Sequence, residues 1–271
     1  MEYGINIEYF LKSCSLAKSA KMLSNAGFTM LDYTPPINQD DWKDCMKNSL
    51  KIFNDNGLTV HQTHAPFNFD GRCGSKDQHK LYLDRCEEAT EYMGAKYMVV
   101  HGDEFDFENF KYAPELAFEF NHKYFLPYVE RSKGKKYKLA FETLFSDHKG
   151  RFTANPQELL DLIASYKSDS VVCCWDFGHA HVDLWSGAYD WIRKFGKLIK
   201  CTHVHDNVGN DSHQMPFTGV INWSETMKAI KEIGYQGVMS IEYSHGKMPE
   251  DMMENFVELT YKAVKHLWEK L

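Results

Sequence analysis

Val171-Val-Cys-Cys-Trp-Asp176-Phe-Gly-His179 is a β-rich apolar run that closes on a carboxylate and is followed, three residues on, by an imidazole. A continuous apolar run of this length, with no polar face, suits a strand covered on both sides. Similar runs recur along the whole chain, at Tyr3–Ile7, Phe28–Tyr33, Leu58–His64, Tyr97–His101, Tyr137–Glu142, Ile199–His205 and Gly237–Glu242. Several of them also end on a His, Asp or Glu.

Helical patterns fill the intervals. Trp42, Met46, Leu50 and Phe53 mark one apolar face, and Met253, Val257, Val264, Leu267 and Leu271 mark another. Asn155-Pro156-Gln157-Glu158 reads as a helix start, with Asn as N-cap and Pro in the first turn. Glycines at 27, 57, 94, 134, 196 and 234 come shortly before six of the strands, where a helix C-cap glycine belongs. No Ser/Pro/Gly-rich linker divides the chain. The expected fold is α/β, a single-domain (β/α)₈ TIM barrel over residues 1–271, a length normal for that fold.

Composition narrows the function. At 43% hydrophobic and 14% aromatic the chain can bury a large core, which excludes whole-chain disorder. A net charge of −7 gives no general attraction to nucleic acid or to an anionic membrane, and no run is apolar and long enough to span a bilayer. The opening Met-Glu-Tyr-Gly-Ile-Asn-Ile reads as a strand, not as a secretory signal. Seven cysteines without Cys-x-x-Cys spacing suit reduced, mostly buried thiols in a cytoplasmic protein.

Alternation within the strands groups the polar ends. With Glu142, Asp176, His205 and Glu242 pointing inward at the strand tops, Ala140, Cys174, His203 and Ser240 also point inward, one layer lower. Most of this lower layer is small, as a tight barrel interior requires, while the outward set (Phe141, Trp175, Val204, Ile241) is large and apolar. The four upper residues then share the C-terminal rim, where such barrels keep their active sites. Any one of them alone reads as a salt-bridged strand end. Three inward carboxylates together repel one another without a cation, and with one imidazole they suit Mn²⁺, Mg²⁺ or Co²⁺, or Zn²⁺.

His64 and His101 either hold a second ion bridged by Glu142 or bond a sugar hydroxyl as neutral imidazoles. His179, Asp211 and His213 offer a third site, with His181 and Asp183 close enough to compete for the role of His179. Phe67, Phe145, Trp185 and Trp223 either wall a substrate pocket or pack the rim loops; Phe67 and Trp185, with His179, are taken as substrate contacts. The basic run Arg131–Lys138 precedes the fifth strand and is expected as a solvated helix end on the opposite face. Nucleotide-binding and serine-nucleophile motifs do not occur.

At His64-Ala-Pro, Val100-His101-Gly, Phe141-Glu142-Thr, Asp176-Phe-Gly-His179, His203-Val-His205-Asp-Asn and Ser240-Ile-Glu242 the chain resembles the xylose isomerase-like barrel superfamily. That superfamily joins sugar and sugar-phosphate isomerases and epimerases to the AP endonuclease family 2 proteins. Resemblance to the ketose 3-epimerase branch implies Glu142, Asp176, His205 and Glu242 as metal ligands, Glu142 and Glu242 doubling as the acid/base pair. The implied reaction is isomerisation or epimerisation of a sugar or sugar phosphate through a metal-stabilised enediolate. Those epimerases tend to carry an arginine shortly after the seventh-strand histidine, where this chain has Asp206-Asn-Val-Gly-Asn-Asp-Ser-His213.

Resemblance to the endonuclease IV-like branch implies a multinuclear zinc phosphodiesterase, with more than one ion held by the nine residues His64, His101, Glu142, Asp176, His179, His205, Asp211, His213 and Glu242. Against that branch stand the acidic and aromatic rim stretches Gly102–Glu108 and Asp183-Leu-Trp-Ser, since a DNA enzyme should bring Lys and Arg to this face. A polyol dehydratase or lyase is a further alternative, and a sugar-binding scaffold is the non-enzymatic one. The expected partner is a small sugar, not nucleic acid or membrane. Barrels of this type often associate, so a homo-oligomer is an expected assembly.

Overall fold

Residues 1–67, 74–102, 113–146, 150–244 and 246–271 are described by a computed structural model. Eight strands form one sheet: β1 (Tyr3–Asn6), β2 (Met30–Tyr33), β3 (Thr59–His64), β4 (Tyr97–Val100), β5 (Lys138–Glu142), β6 (Val171–Asp176), β7 (Ile199–His203) and β8 (Met239–Ile241). The order is β7-β6-β5-β4-β3-β2-β1-β8, and every ladder is parallel. The ring closes between β7 and β8 through a parallel bridge of Val204 with Ile241. At that bridge the Val204 amide donates to Ser240 (2.7 Å), and the Glu242 amide donates to Val204 (3.1 Å). This is the expected (β/α)₈ barrel.

Its residues sort by strand phase. The outward-facing Phe141, Trp175, Val204 and Ile241 join the main core beneath the helices, with Trp175 edge-on to Phe195. Inside the barrel, Val99, Ala140, Val172, Cys174 and Cys201 form a separate small cluster. Short side chains there leave room for eight strands to close.

Local sequence sets the helix ends. The Asn155 side chain accepts from the Gln157 amide (3.0 Å) and Pro156 opens the helix Pro156–Ser165. Gly27 caps the helix Leu16–Ala26 at φ +109°, a left-handed conformation that glycine adopts without penalty. The basic run lies at the N-terminal end of β5, where Arg131 pairs with Asp84 and Glu87, and Lys135 with Glu91. All six described cysteines are free; Cys73 lies outside the described residues. Among the described residues, no helix is long and apolar enough to cross a membrane.

A Cβ at Gly27 would sit 2.8 Å from the Tyr261 ring, in a backbone conformation that L-residues rarely adopt. Gly27→Ala is therefore expected to lower stability by about 1–3 kcal/mol, measured by urea denaturation. An unchanged midpoint would show that neither the Tyr261 contact nor the left-handed backbone carries a cost there.

Candidate metal centre and cleft

Glu142 ends β5, Asp176 ends β6, His203 ends β7 and Glu242 follows β8 by one residue. Parallel pairing sets Asp176 level with His203 and Glu142 level with Cys174. One ligand atom from each of Glu142, Asp176, His203 and Glu242 lies within 4.8 Å of the others. All four residues are buried.

The imidazole in this set is not the one expected. His203 and His205 share an inward phase, so alternation cannot choose between them. Strand β7 ends at His203, and His205 lies beyond it. His205 joins His179, Asp211 and His213 in a neighbouring group. Its Nε2 is 3.0 Å from Asp176, and its ring stacks on His213 at 4.1 Å. Gly178 makes that position possible, since a Cβ there would lie 1.9 Å from the His205 ring. A third group, His64, His101 and Glu142, sits on the other side of Glu142.

Hydrogen bonds fix several ring nitrogens. His203 Nε2 donates to Asp32 (2.8 Å) on β2, which turns Nδ1 toward Glu142 (3.2 Å) and Glu242 (3.0 Å). Nδ1 is buried and aligned for a hydrogen bond with neither carboxylate. A carboxylate behind an imidazole whose other nitrogen faces a cluster of oxygens is the usual support for a metal-bound histidine. The donor set of three carboxylates and one oriented imidazole fits a hard or borderline divalent cation. His64, His179 and His213 similarly donate from Nδ1 to the carbonyls of Ala65 (2.9 Å), Thr143 (3.0 Å) and Glu242 (3.2 Å), which leaves Nε2 facing the site.

Charges in the cluster are strongly coupled. Burial alone would raise the Glu142 carboxyl, but His203 and His101 hold it well below the ordinary carboxylate range. Burial alone would lower His203, but Glu242, Glu142 and Asp32 raise it well above the usual imidazole range. Against the same burial, Glu142 lifts His64 to about 9, and Asp211 and Glu242 lift His213 to about 9.

Above these residues is a cleft of about 280 Å³. Glu142 and Glu242 line it, with Tyr9, Phe67, Phe145 and Arg151 among its walls. Phe67 stacks on His101 at 4.3 Å, and Phe145 lies 5.0 Å from the His179 ring. A second recess of about 480 Å³ shares Tyr9, His64, Phe67 and Glu242 and extends past Lys12. Trp185, expected as a substrate contact, is not among the residues lining either space; a left-handed φ of 49° turns it onto His181, half exposed. Trp223 is buried and donates to Asp206 (2.9 Å). His181 bonds Asn207 and Asp183 accepts from the Ser146 amide, so neither competes with His179. Residues 103–108 of the acidic rim stretch lie outside the described residues.

Three contributors escaped the sequence reading. Tyr9 lies on the one-turn helix Glu8–Leu11, Arg151 comes from a loop without a motif, and Asp32 is an isolated acid inside β2. Another buried acid, Asp206, organises the loop after β7. Its carboxylate accepts from the amides of Asn207, Phe217 and Ile221 and from the Trp223 indole. That loop presents Asp211 and His213, whose side chains approach to 3.2 Å.

The family model of the xylose isomerase-like TIM barrel matches residues 20–263. The chain belongs to this family. Protein y4fM of Sinorhizobium fredii (strain NBRC 101917 / NGR234), itself uncharacterized, is 26% identical over 261 residues, covering 83% of this chain and 79% of its own. Among solved structures of the same fold, a D-psicose 3-epimerase from Clostridium cellulolyticum H10 with D-tagatose superposes with TM-score 0.81 at 14% identity, over 99% of this chain and 100% of that one. The IolI protein with a bound zinc atom superposes with TM-score 0.77 at 17% identity, over 100% and 99%.

Against its burial, Glu242, Glu142 and Asp32 raise His203, so a cation that takes Nδ1 competes with a proton there. Metal uptake at pH 7 is expected to release about one proton or more per ion, read by calorimetry in buffers of different ionisation enthalpy. Uptake without proton release would remove His203 from the ligand set.

Proposed function

We propose that this family member is a divalent-metal-dependent isomerase or epimerase of a small sugar or sugar derivative. The observation that carries the reading is the convergence of Glu142, Asp176, Glu242 and the oriented Nδ1 of His203 at the base of a cleft with aromatic walls. A volume of about 280 Å³ falls at the small end of ligand pockets, which suits a compact substrate. The likeness to a sugar epimerase and to a zinc-bound barrel agrees with the reading.

A cation held by these four residues would polarise a substrate carbonyl and acidify the neighbouring C–H. Glu142 and Glu242 enter the cleft from strands on different sides of the barrel, and both are held ionised by their imidazole neighbours. One carboxylate removes the carbon-bound proton, and the other returns a proton from the opposite face or at the adjacent carbon. Phe67 and Phe145 cover apolar faces of the substrate, and Tyr9 and His179 bond its oxygens.

Glu142→Gln and Glu242→Gln are each expected to cut C–H exchange of a ketose in deuterated water by about 100-fold or more; full exchange in either variant would reject the two-carboxylate scheme. Exchange that ends in loss of water from the sugar would point to the dehydratase alternative.

The additional imidazole groups favour one second reading, a multinuclear phosphodiesterase. Of the residues lining the cleft, Arg151 is the one lysine or arginine among those described, a weak cationic lining for a polyanion. The protein is expected not to incise an abasic-site duplex at low salt, whereas rapid metal-dependent incision would replace the sugar reading with this one.

A further inference from the structure

His101 differs from its neighbours in what its Nδ1 meets. In His64, His179 and His213, Nδ1 faces a backbone carbonyl and must carry the proton, so Nε2 is available to a cation. In His101, Nδ1 faces the guanidinium of Arg151 at 3.3 Å. Arginine has donors and no acceptor, so this nitrogen must accept. The ring proton then sits on Nε2, which lies 3.2 Å from Glu142 Oε2. An imidazole cannot donate from Nε2 and ligate a metal with it.

The surroundings hold this arrangement in place. Arg151 is buried, with its guanidinium over the Phe145 ring at 5.3 Å. His101 is buried and stacked on Phe67. With Nδ1 against Arg151, a proton on that nitrogen would face a donor with a donor. A fixed positive charge beside the ring also disfavours a second cation at His64, His101 and Glu142.

From this we infer that Arg151 keeps His101 out of metal ligation, so that the His64, His101 and Glu142 group takes no resident ion and His101 serves as a hydrogen-bond donor that positions Glu142. Arg151 is a positioning residue acting through His101. The inference rests on the proposed centre at Glu142, Asp176, His203 and Glu242, because it concerns how many ions accompany that one.

The test is cobalt stoichiometry on the intact chain, combined with ring ¹⁵N NMR of His101. In the wild-type protein, His101 is expected as the Nε2–H tautomer, and His101→Ala is expected to leave the number of bound ions unchanged. Arg151→Met removes both donor and charge while keeping an apolar stem. It is expected to gain about one cobalt per chain, and the gain should vanish in Arg151→Met/His101→Ala. An Nδ1–H tautomer in the wild type, loss of an ion on His101→Ala, or no gain in a folded Arg151→Met that keeps its principal ion each overturns the inference alone. A wild-type chain that binds no cobalt overturns the inference and the proposed function together. The wild-type NMR measurement decides the matter even if Arg151→Met does not fold.

Discussion

Concentrated negative charge at the mouth of the barrel is the constraint on which the rest depends. Glu142, Asp176 and Glu242 are buried within a few ångströms of one another, with Asp32 beneath and Asp211 above. Such a set cannot persist uncompensated at low dielectric. Among the described residues six imidazoles surround it, and each is oriented by a bond of its own: to Asp32, to Arg151, or to a carbonyl. Because imidazoles can give up their protons, the same residues balance the carboxylates alone or yield to a cation. Lysines in their place would hold the charge permanently and close the site to metal.

That arrangement needs a scaffold that resists rotation of each ring. Parallel strands supply the first layer of support, since Asp176 and His203 are paired directly across β6 and β7. Loop chemistry supplies the second. Asp206 gathers four donors around one buried carboxylate and so fixes the segment that carries Asp211 and His213. Gly178 and Gly219 supply space: a side chain at either would run into His205 or Asp206. The functional groups are precise because residues that never touch a ligand are constrained.

The sequence made the architecture legible because strand and helix periods are local. β-rich runs, C-cap glycines and the Asn155-Pro156 start all lie where those patterns place them. The candidate site was legible in part, since Glu142 and Asp176 end their strands and Glu242 follows its own in matching phase. His203 against His205 was not, because two residues apart along one apolar run share an alternation phase and differ only in height. Height depends on where β7 stops and on a register shift at Cys173/Cys174, both of which are tertiary facts. Arg151 and Tyr9 were beyond reach for another reason: Arg151 arrives on an irregular loop and Tyr9 on the four-residue helix Glu8–Leu11, and neither is long enough or regular enough to carry a period to extrapolate.

The closure of the barrel gives the centre a mechanical meaning. Strands β7 and β8 are joined by one bridge at Val204, with β-ladders running the rest of the way round the ring. His203 and Asp176 stand on one side of that seam and Glu242 on the other. A single ion shared among them would act as a clasp across the thinnest join in the wall. Chemistry and ring closure would then be fastened at the same point, and loosening the one would spring the other.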